Sequence, residues 1–448
     1  AHDHVTSEIY TIDAHSPKHA AQCFAIRQVG VEYEISERNG IFYIVTNKDG
    51  VEDYKIMQSD LQHTEQSHWQ DVYIPPKGTL LRGIFVFKDF LIRSERINGL
   101  PRIVVVDFEN DEFGEEHSIE FNEEAYELNI IAGYEFDTHM ARFSYTSMTT
   151  PTQIFDYEMS TRERKLMKQQ EVPSGHQVDE YTTRRLFATA ADDESIPISL
   201  LYKNTTALDG SAPMLLYAYG SYGSTMPASF STNRFSLVDR GFIYAIAHVR
   251  GGMEKGYAWY KNGKLENKTN TFSDYISCAK YLITENYTRK GQIAAHGGSA
   301  GGMLVGAVLN MQPELFHAAI ADVPFVDVLN TMSDANLPLT PPEWPEWGNP
   351  IKNESDYLNI SQYSPYENIT QQDYPHILVT AGLTDPRVTY WEPTKWVAKL
   401  RSLKTDNNTL VLKMNMGAGH AGASGRFDYL KEIALMYAFL LKVFDMTC

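Results

Sequence analysis

Two patterns of apolar and polar positions divide the chain. Over residues 1 to about 170, short runs alternate apolar with polar side chains and are broken by turn residues, as half-buried strands require. VEYEISERNGIFYIVTNKDG pairs two such runs around Asn39-Gly40 and closes at Asp49-Gly50. Asn-Gly and Asp-Gly adopt the positive φ angles of tight hairpins at little cost. GIFVFKDFLIRSERINGLPRIVVVDF repeats the unit with a turn at Asn98-Gly99, and MARFSYTSMTTPTQIFDYEMSTRERKLM is a third. The units recur about every 45 residues with room for four strands each, the period of β-propeller blades. Three whole blades and the tail of another, EIYTIDA, fit this part of the chain. Propellers usually have at least four blades, so either further blades lie upstream of residue 1 or the unit count is wrong.

From about residue 175 strand-like and helix-like segments alternate. Strands are expected at PMLLYAYG (213–220), FIYAIAHV (242–249), GQIAAHGG (291–298), HAAIADVP (317–324), YPHILVTAG (374–382) and TLVLKMNM (409–416). Helices fall between and after them, including 271–286 and the segment from Phe427 to Val443. Such alternation implies a mostly parallel, doubly wound sheet covered on both faces. The expected architecture is a partial all-β propeller domain over 1–172 followed by an α/β domain over 173–448.

Charge narrows the partners. A formal net charge of -18 repels nucleic-acid phosphates and anionic membrane surfaces and draws in cations. The longest apolar run, IALMYAFLL at 433–441, is half of the ~20 residues that span a bilayer and reads as a buried helix. Cys23, Cys278 and Cys448 are widely separated and lack metal-ligand or redox spacing, which suits a reducing, cytoplasmic location and no bound metal. Sequons at Asn204, Asn286 and Asn368 point weakly the other way. Without an initiator Met or a signal peptide at residue 1, the chain is expected to begin inside a longer protein.

The chemistry centres on Ser299 in AAHGGSAGGML. A strand precedes it and a helix-like run follows, so the serine sits on a sharp turn that projects it above the sheet and tolerates only small neighbours, hence Gly297 and Gly301. The same turn places the Ala300 N–H where it can donate to an oxyanion. Serine needs a base, and the base an acid that fixes its tautomer. Asp385 follows the strand ending at Gly382, and His420 follows the last strand in the Gly-rich MNMGAGHAGASGR. Of the other histidines, His296 lies within a strand, His248 ends one and His376 opens one.

These stretches resemble a known family. LLYAYGSYG, LVDRGFIYAIAHVRGGMEKG, NTFSDY, GGSAGGML, PFVDV, EWGNP, YPHILVTAGLTDPRVTYWEPTKWVAKLR and GHAGASGR are similar to the catalytic domain of the prolyl oligopeptidase family, and within it to the oligopeptidase B branch. Residues 1 to 170 resemble the second half of that family's propeller; its first blades and N-terminal extension have no counterpart here. The resemblance implies an α/β-hydrolase fold and a cofactor-free serine peptidase for short basic peptides. It implies Ser299 as nucleophile, His420 as general base and Asp385 as the acid that orients it. Tyr219 would donate to the oxyanion beside Ala300, and Arg387 would bind a substrate carbonyl.

A buried substrate cation needs a carboxylate to replace its lost water. LTPPEWPEWGNP offers Glu343 and Glu346 among tryptophans and prolines, and Glu343 matches the family's main S1 acid. Some members carry a second acid two residues on, where this chain has Pro345, so Glu346 could substitute only if its loop turns it inward. Some also carry an Asp pair after GSYG, where Pro227 and Ser229 stand here. Single Arg or Lys at P1 is therefore expected, with a weakened preference for paired basic residues. The alternatives are prolyl oligopeptidase or acylaminoacyl-peptidase specificity, against which Glu343 argues, and an inactive propeller-based binding scaffold, against which the three catalytic residue types argue.

Overall fold

The computed structural model describes residues 5–425 and 427–446. The chain forms two compact units: Ala1–Glu171 with Glu254–Ala258, and Val172–Met253 with Trp259–Cys448.

The first unit is all β. Three four-stranded antiparallel meanders begin at Tyr33, Thr79 and Tyr126, and a two-stranded pair, Tyr10–Thr11 with Gln22–Cys23, precedes them. Asn39 and Gly40 take φ of 50° and 83°, and Asn98 and Gly99 take 49° and 77°, which sets the right-handed hairpin twist. Consecutive sheets share cores. Tyr43, Val45 and Ile56 of the first meander pack with Leu81, Leu91 and Val104 of the second. Ile92 and Val105 of the second pack with Leu128 and Phe143 of the third. This face-to-face stacking is how propeller blades bury apolar surface that none could bury alone.

The second unit is built on one eight-stranded sheet. Its strands are β1 (Tyr181–Thr189), β2 (Ser195–Lys203), β3 (Met214–Tyr217), β4 (Ile243–Ala247), β5 (Ile293–Gly298), β6 (Phe316–Asp322), β7 (His376–Gly382) and β8 (Leu410–Asn415). Their spatial order is β1-β2-β4-β3-β5-β6-β7-β8. The last six are mutually parallel, whereas β1 and β2 pair antiparallel with each other and β2 pairs antiparallel with β4. This is an α/β-hydrolase sheet with an antiparallel margin. The apolar strand runs form because helices cover both faces: Ile293, Ala294 and Ala295 of β5 are fully buried. Helix α1 (Thr269–Thr284) and helix α2 (Ala300–Met311) flank the centre, and α2 buries every residue from Ala300 to Leu309. At the opposite margin, β8 stays partly exposed along its length.

Two local features depart from expectation. The pair β1 and β2 carries no strand reading in the sequence, because β1 is polar (YTTRRLFAT) and β2 contains Pro197. The segment around Glu343, expected as a loop, is helix α3 (Thr340–Trp347). Pro341 and Pro342 sit in its first turn, where backbone N–H groups have no intrahelical acceptor to lose.

Candidate active site

Ser299 joins β5 to α2 at φ 56° and ψ -119°, the strained turn that lifts a side chain above a sheet. Backbone bonds fix it on both sides: its N–H donates to Asp322 O at 2.8 Å, and its carbonyl accepts from Phe325 N–H at 3.0 Å. The glycines provide clearance. A Cβ on Gly297 would lie 2.2 Å from Gly301 O, and one on Gly301 would lie 2.7 Å from Ala218 O. Ala300 opens α2, so its N–H is one of the first-turn donors without an intrahelical acceptor.

Asp385 and His420 reach each other from the ends of β7 and β8. Asp385 is buried, and its Oδ1 accepts from the N–H groups of Arg387 (2.8 Å) and Val388 (3.0 Å). Its Oδ2 lies 2.7 Å from His420 Nδ1. Because an ionised carboxylate only accepts, Nδ1 carries the proton and Nε2 is left basic. The other histidines are engaged elsewhere: His296 with Asp322 at 3.2 Å, His248 with Ser199 Oγ at 2.8 Å, and His376 with the Thr409 N–H at 2.9 Å.

Tyr219 follows β3, and its phenol lies close enough to the Ser299 side chain for the serine to oppose the rise in its pKa. The described residues show no bond between Ser299 and His420; such bonds are often long without substrate. Burial first, then the Glu343 and Glu346 carboxylates, raises the Tyr219 phenol above its ordinary range, which keeps it a protonated donor. Arg387 is exposed, lies close enough to oppose that shift, and makes no ion pair among the described residues.

Helix α3 gives its two acids different surroundings. Glu343 is half-buried; its Oε2 accepts from the Tyr222 hydroxyl (2.7 Å) and from Trp347 Nε1–H (3.1 Å). Its Oε1 has no hydrogen-bond partner among the described residues. Glu346 is turned inward, as the sequence required for it to matter, and is 4 % exposed. Both its oxygens are already taken, by Tyr222 N–H at 2.8 Å and the Tyr260 hydroxyl at 2.5 Å. Glu343 is thus the acid with acceptor capacity to spare.

Three residues around this site carry no signal of their own in the sequence. Tyr222 binds both acids, Tyr260 binds one, and Lys268 lies buried beneath the turn that carries Tyr219 and Tyr222. Tyr222 stands in the same GSYG as the turn itself; an isolated lysine before NTFSDY gives no reason to expect burial.

Comparison with known proteins shows what the chain is similar to. The family model described as "Prolyl oligopeptidase family" matches residues 228–447, and "Prolyl oligopeptidase, N-terminal beta-propeller domain" matches residues 1–170. Dipeptidyl aminopeptidase BI of Pseudoxanthomonas mexicana is 43% identical over 98% of this chain and 60% of its own length. Protease 2 of Moraxella lacunata is 42% identical over 97% of this chain and 62% of its own. Oligopeptidase B from Trypanosoma brucei, solved in a closed form with covalently bound antipain, superposes with a TM-score of 0.94 at 40% identity. That match covers 100% of this chain and 64% of the other. Oligopeptidase B from Leishmania major gives 0.91 at 37% identity, covering 99% and 63%. The chain spans about three-fifths of the length of the curated relatives it matches.

Proposed function

Because the chain belongs to the prolyl oligopeptidase family, we propose that it carries the catalytic machinery of a serine oligopeptidase that cleaves short peptides after Arg or Lys. In this reading His420 Nε2 takes the Ser299 proton as Oγ attacks the scissile carbonyl. The oxyanion is received by the Tyr219 hydroxyl and the Ala300 N–H. His420 then returns the proton to the leaving amine, and a water repeats the sequence to release the acid. Arg387 holds a substrate carbonyl. The Asp385–His420 contact of 2.7 Å carries the proposal, because it commits the imidazole to the tautomer that can act as base.

The basic P1 preference rests on Glu343, whose spare oxygen can pair with a guanidinium or ammonium in an aromatic setting of Tyr222 and Trp347. The net charge of -18 supports attraction of cationic peptides. A cytoplasmic location is supported by the free thiols of Cys23 and Cys278; no helix among the described residues is long and apolar enough to cross a membrane. The aminopeptidase name of one relative favours a second reading, release of dipeptides from a free N-terminus.

The test is hydrolysis of matched fluorogenic peptides with Arg, Lys, Pro or Ala at P1, each with a blocked or a free N-terminus, beside Ser299→Ala. Dominance of blocked Arg and Lys substrates, abolished by Ser299→Ala, is the expected result. A strict need for a free N-terminus selects the second reading, and dominance of Pro or Ala overturns the assigned specificity.

A further inference from the structure

Lys268 opens the way to a residue that no part of the reaction scheme uses. It stands just before α1 and is wholly buried. Its ammonium donates to Gly220 O at 2.6 Å, Ser221 Oγ at 2.9 Å and Gly263 O at 3.1 Å, three neutral acceptors. Among the described residues no carboxylate contacts it directly; it also lies 5.2 Å from the centre of the Trp347 ring. Burial pushes it down to about 8, with Glu346 opposing the shift. A buried cation without a contacting counter-ion costs stability, and a side chain needed only for packing could be an apolar one of the same length.

Two of its three acceptors belong to the short turn from Tyr219 to Tyr222. At one end of that turn, Tyr219 lies beside Ser299. At the other, Tyr222 gives its N–H to Glu346 and its hydroxyl to Glu343. The third acceptor ties the turn to a neighbouring loop: Gly263 O also accepts from Thr271 Oγ1, which bonds Arg250 O. The loop at Arg250 is itself held by Asp274 through 2.6 and 2.9 Å contacts.

Resting on the oxyanion role given to Tyr219 above, we propose that Lys268 is a positioning residue: its ammonium clamps the Gly220 carbonyl and the Ser221 hydroxyl so that Tyr219 meets the developing oxyanion. The lysine touches no substrate atom. It acts by removing the turn's freedom to move Tyr219, and an oxyanion donor that is off position loses most of its value.

A double-mutant cycle separates this role from a purely structural one. Lys268→Met, Tyr219→Phe and the pair are assayed for kcat with a p-nitrophenyl ester and for the rate of fluorophosphonate labelling of Ser299. Both readouts are independent of P1 preference, so they stand even if the Arg/Lys reading fails. Tyr219→Phe is expected to lower kcat roughly 100-fold and Lys268→Met on the order of tenfold, with KM little changed. The pair is expected to be no slower than Tyr219→Phe alone, since without the hydroxyl there is nothing left to position. Lys268→Gln, which keeps two donors, should recover part of the loss. Losses that multiply overturn the proposal, as does an unchanged kcat in Lys268→Met. If neither Lys268 variant folds, the residue serves the fold and the proposal falls. An inert wild type would instead refute the peptidase reading.

Discussion

Gly301→Ala and Gly306→Ala put the same methyl group on the same helix against different neighbours. At Gly301 the new Cβ would lie 2.7 Å from Ala218 O, 3.3 Å from Tyr219 Cα and 3.4 Å from Tyr219 Cδ2. At Gly306 it would lie 2.8 Å from Pro365 Cβ and 3.4 Å from Trp396 Cζ2. A comfortable carbon–oxygen separation is about 3.4 Å, so Gly301→Ala forces a movement of roughly 0.7 Å at the end of β3, directly behind Tyr219. Overpacking of this kind costs about 1–3 kcal/mol, offset by about 1 kcal/mol because alanine favours a helix interior over glycine. Both variants should therefore melt only a few degrees below wild type. Their rates should differ. A misplacement of about 1 Å can cost on the order of 100-fold, so roughly 0.7 Å at Tyr219 should lower kcat by about 10- to 100-fold in Gly301→Ala, while Gly306→Ala keeps the wild-type kcat. The assay is ester hydrolysis beside thermal unfolding of each variant. Equal kcat in the two, at similar melting points, would show that Tyr219 is not the group whose position matters.

Asp385→Asn should preserve the fold but lower kcat by roughly 10³–10⁴-fold, because an amide no longer fixes the proton on His420 Nδ1; a loss below tenfold in steady-state assays would be incompatible with the assigned base. Glu343→Gln should cut kcat/KM for Arg and Lys peptides by roughly 10–10³-fold and leave Ala peptides nearly unchanged, and a uniform loss across P1 residues would move the cation site elsewhere. Glu392 is wholly buried, accepts from Asp327 N–H and Thr331 Oγ1, and burial raises its carboxyl to about 8. Its folded form therefore holds a proton that the unfolded chain releases near 4.5, so stability from this group is full below 4.5 and falls as pH rises toward 8, by on the order of 4 kcal/mol. Glu392→Gln should flatten the fall in melting temperature between pH 5 and 8; an unchanged slope would exclude Glu392 as its source.

The parallel strands and the serine turn were legible because both depend on local sequence. A strand buried on two faces must be an apolar run, and the turn at Ser299 demands small residues at fixed offsets. The strand pair Tyr181–Thr189 and Ser195–Lys203 escaped because its stability is tertiary: β2 bonds β4, while β1, YTTRRLFAT, has strand-forming residues but no clean alternation of apolar and polar positions. Helix α3 escaped because its three prolines signal a loop, although two of them occupy the turn that tolerates proline. Glu346 is buried, the position the sequence required for it to matter. That Tyr222 and Tyr260 would occupy its oxygens depends on segments 124 and 86 residues away, and no spacing within LTPPEWPEWGNP reports on them. Lys268 is the extreme case, a charged residue in the interior for which the sequence holds no pattern.

Ser299 and His420 stand on elements of unequal strength. The serine is carried between a largely buried strand and a helix sealed by the core, whereas the histidine follows β8 at the open margin of the sheet. A cavity of about 680 Å³ lies along that margin, lined by His420, Asn415, Met416 and Met436, and α4 (Asp428–Val443) buries only Phe439, Leu440 and Leu441. Local opening draws on such thinly packed segments long before the centre of a sheet gives way. Under rising urea, turnover is expected to vanish while the fluorescence of Trp259, Trp347 and Trp396, all buried in the core, still reports a folded unit: an enzyme that is disarmed before it is unfolded.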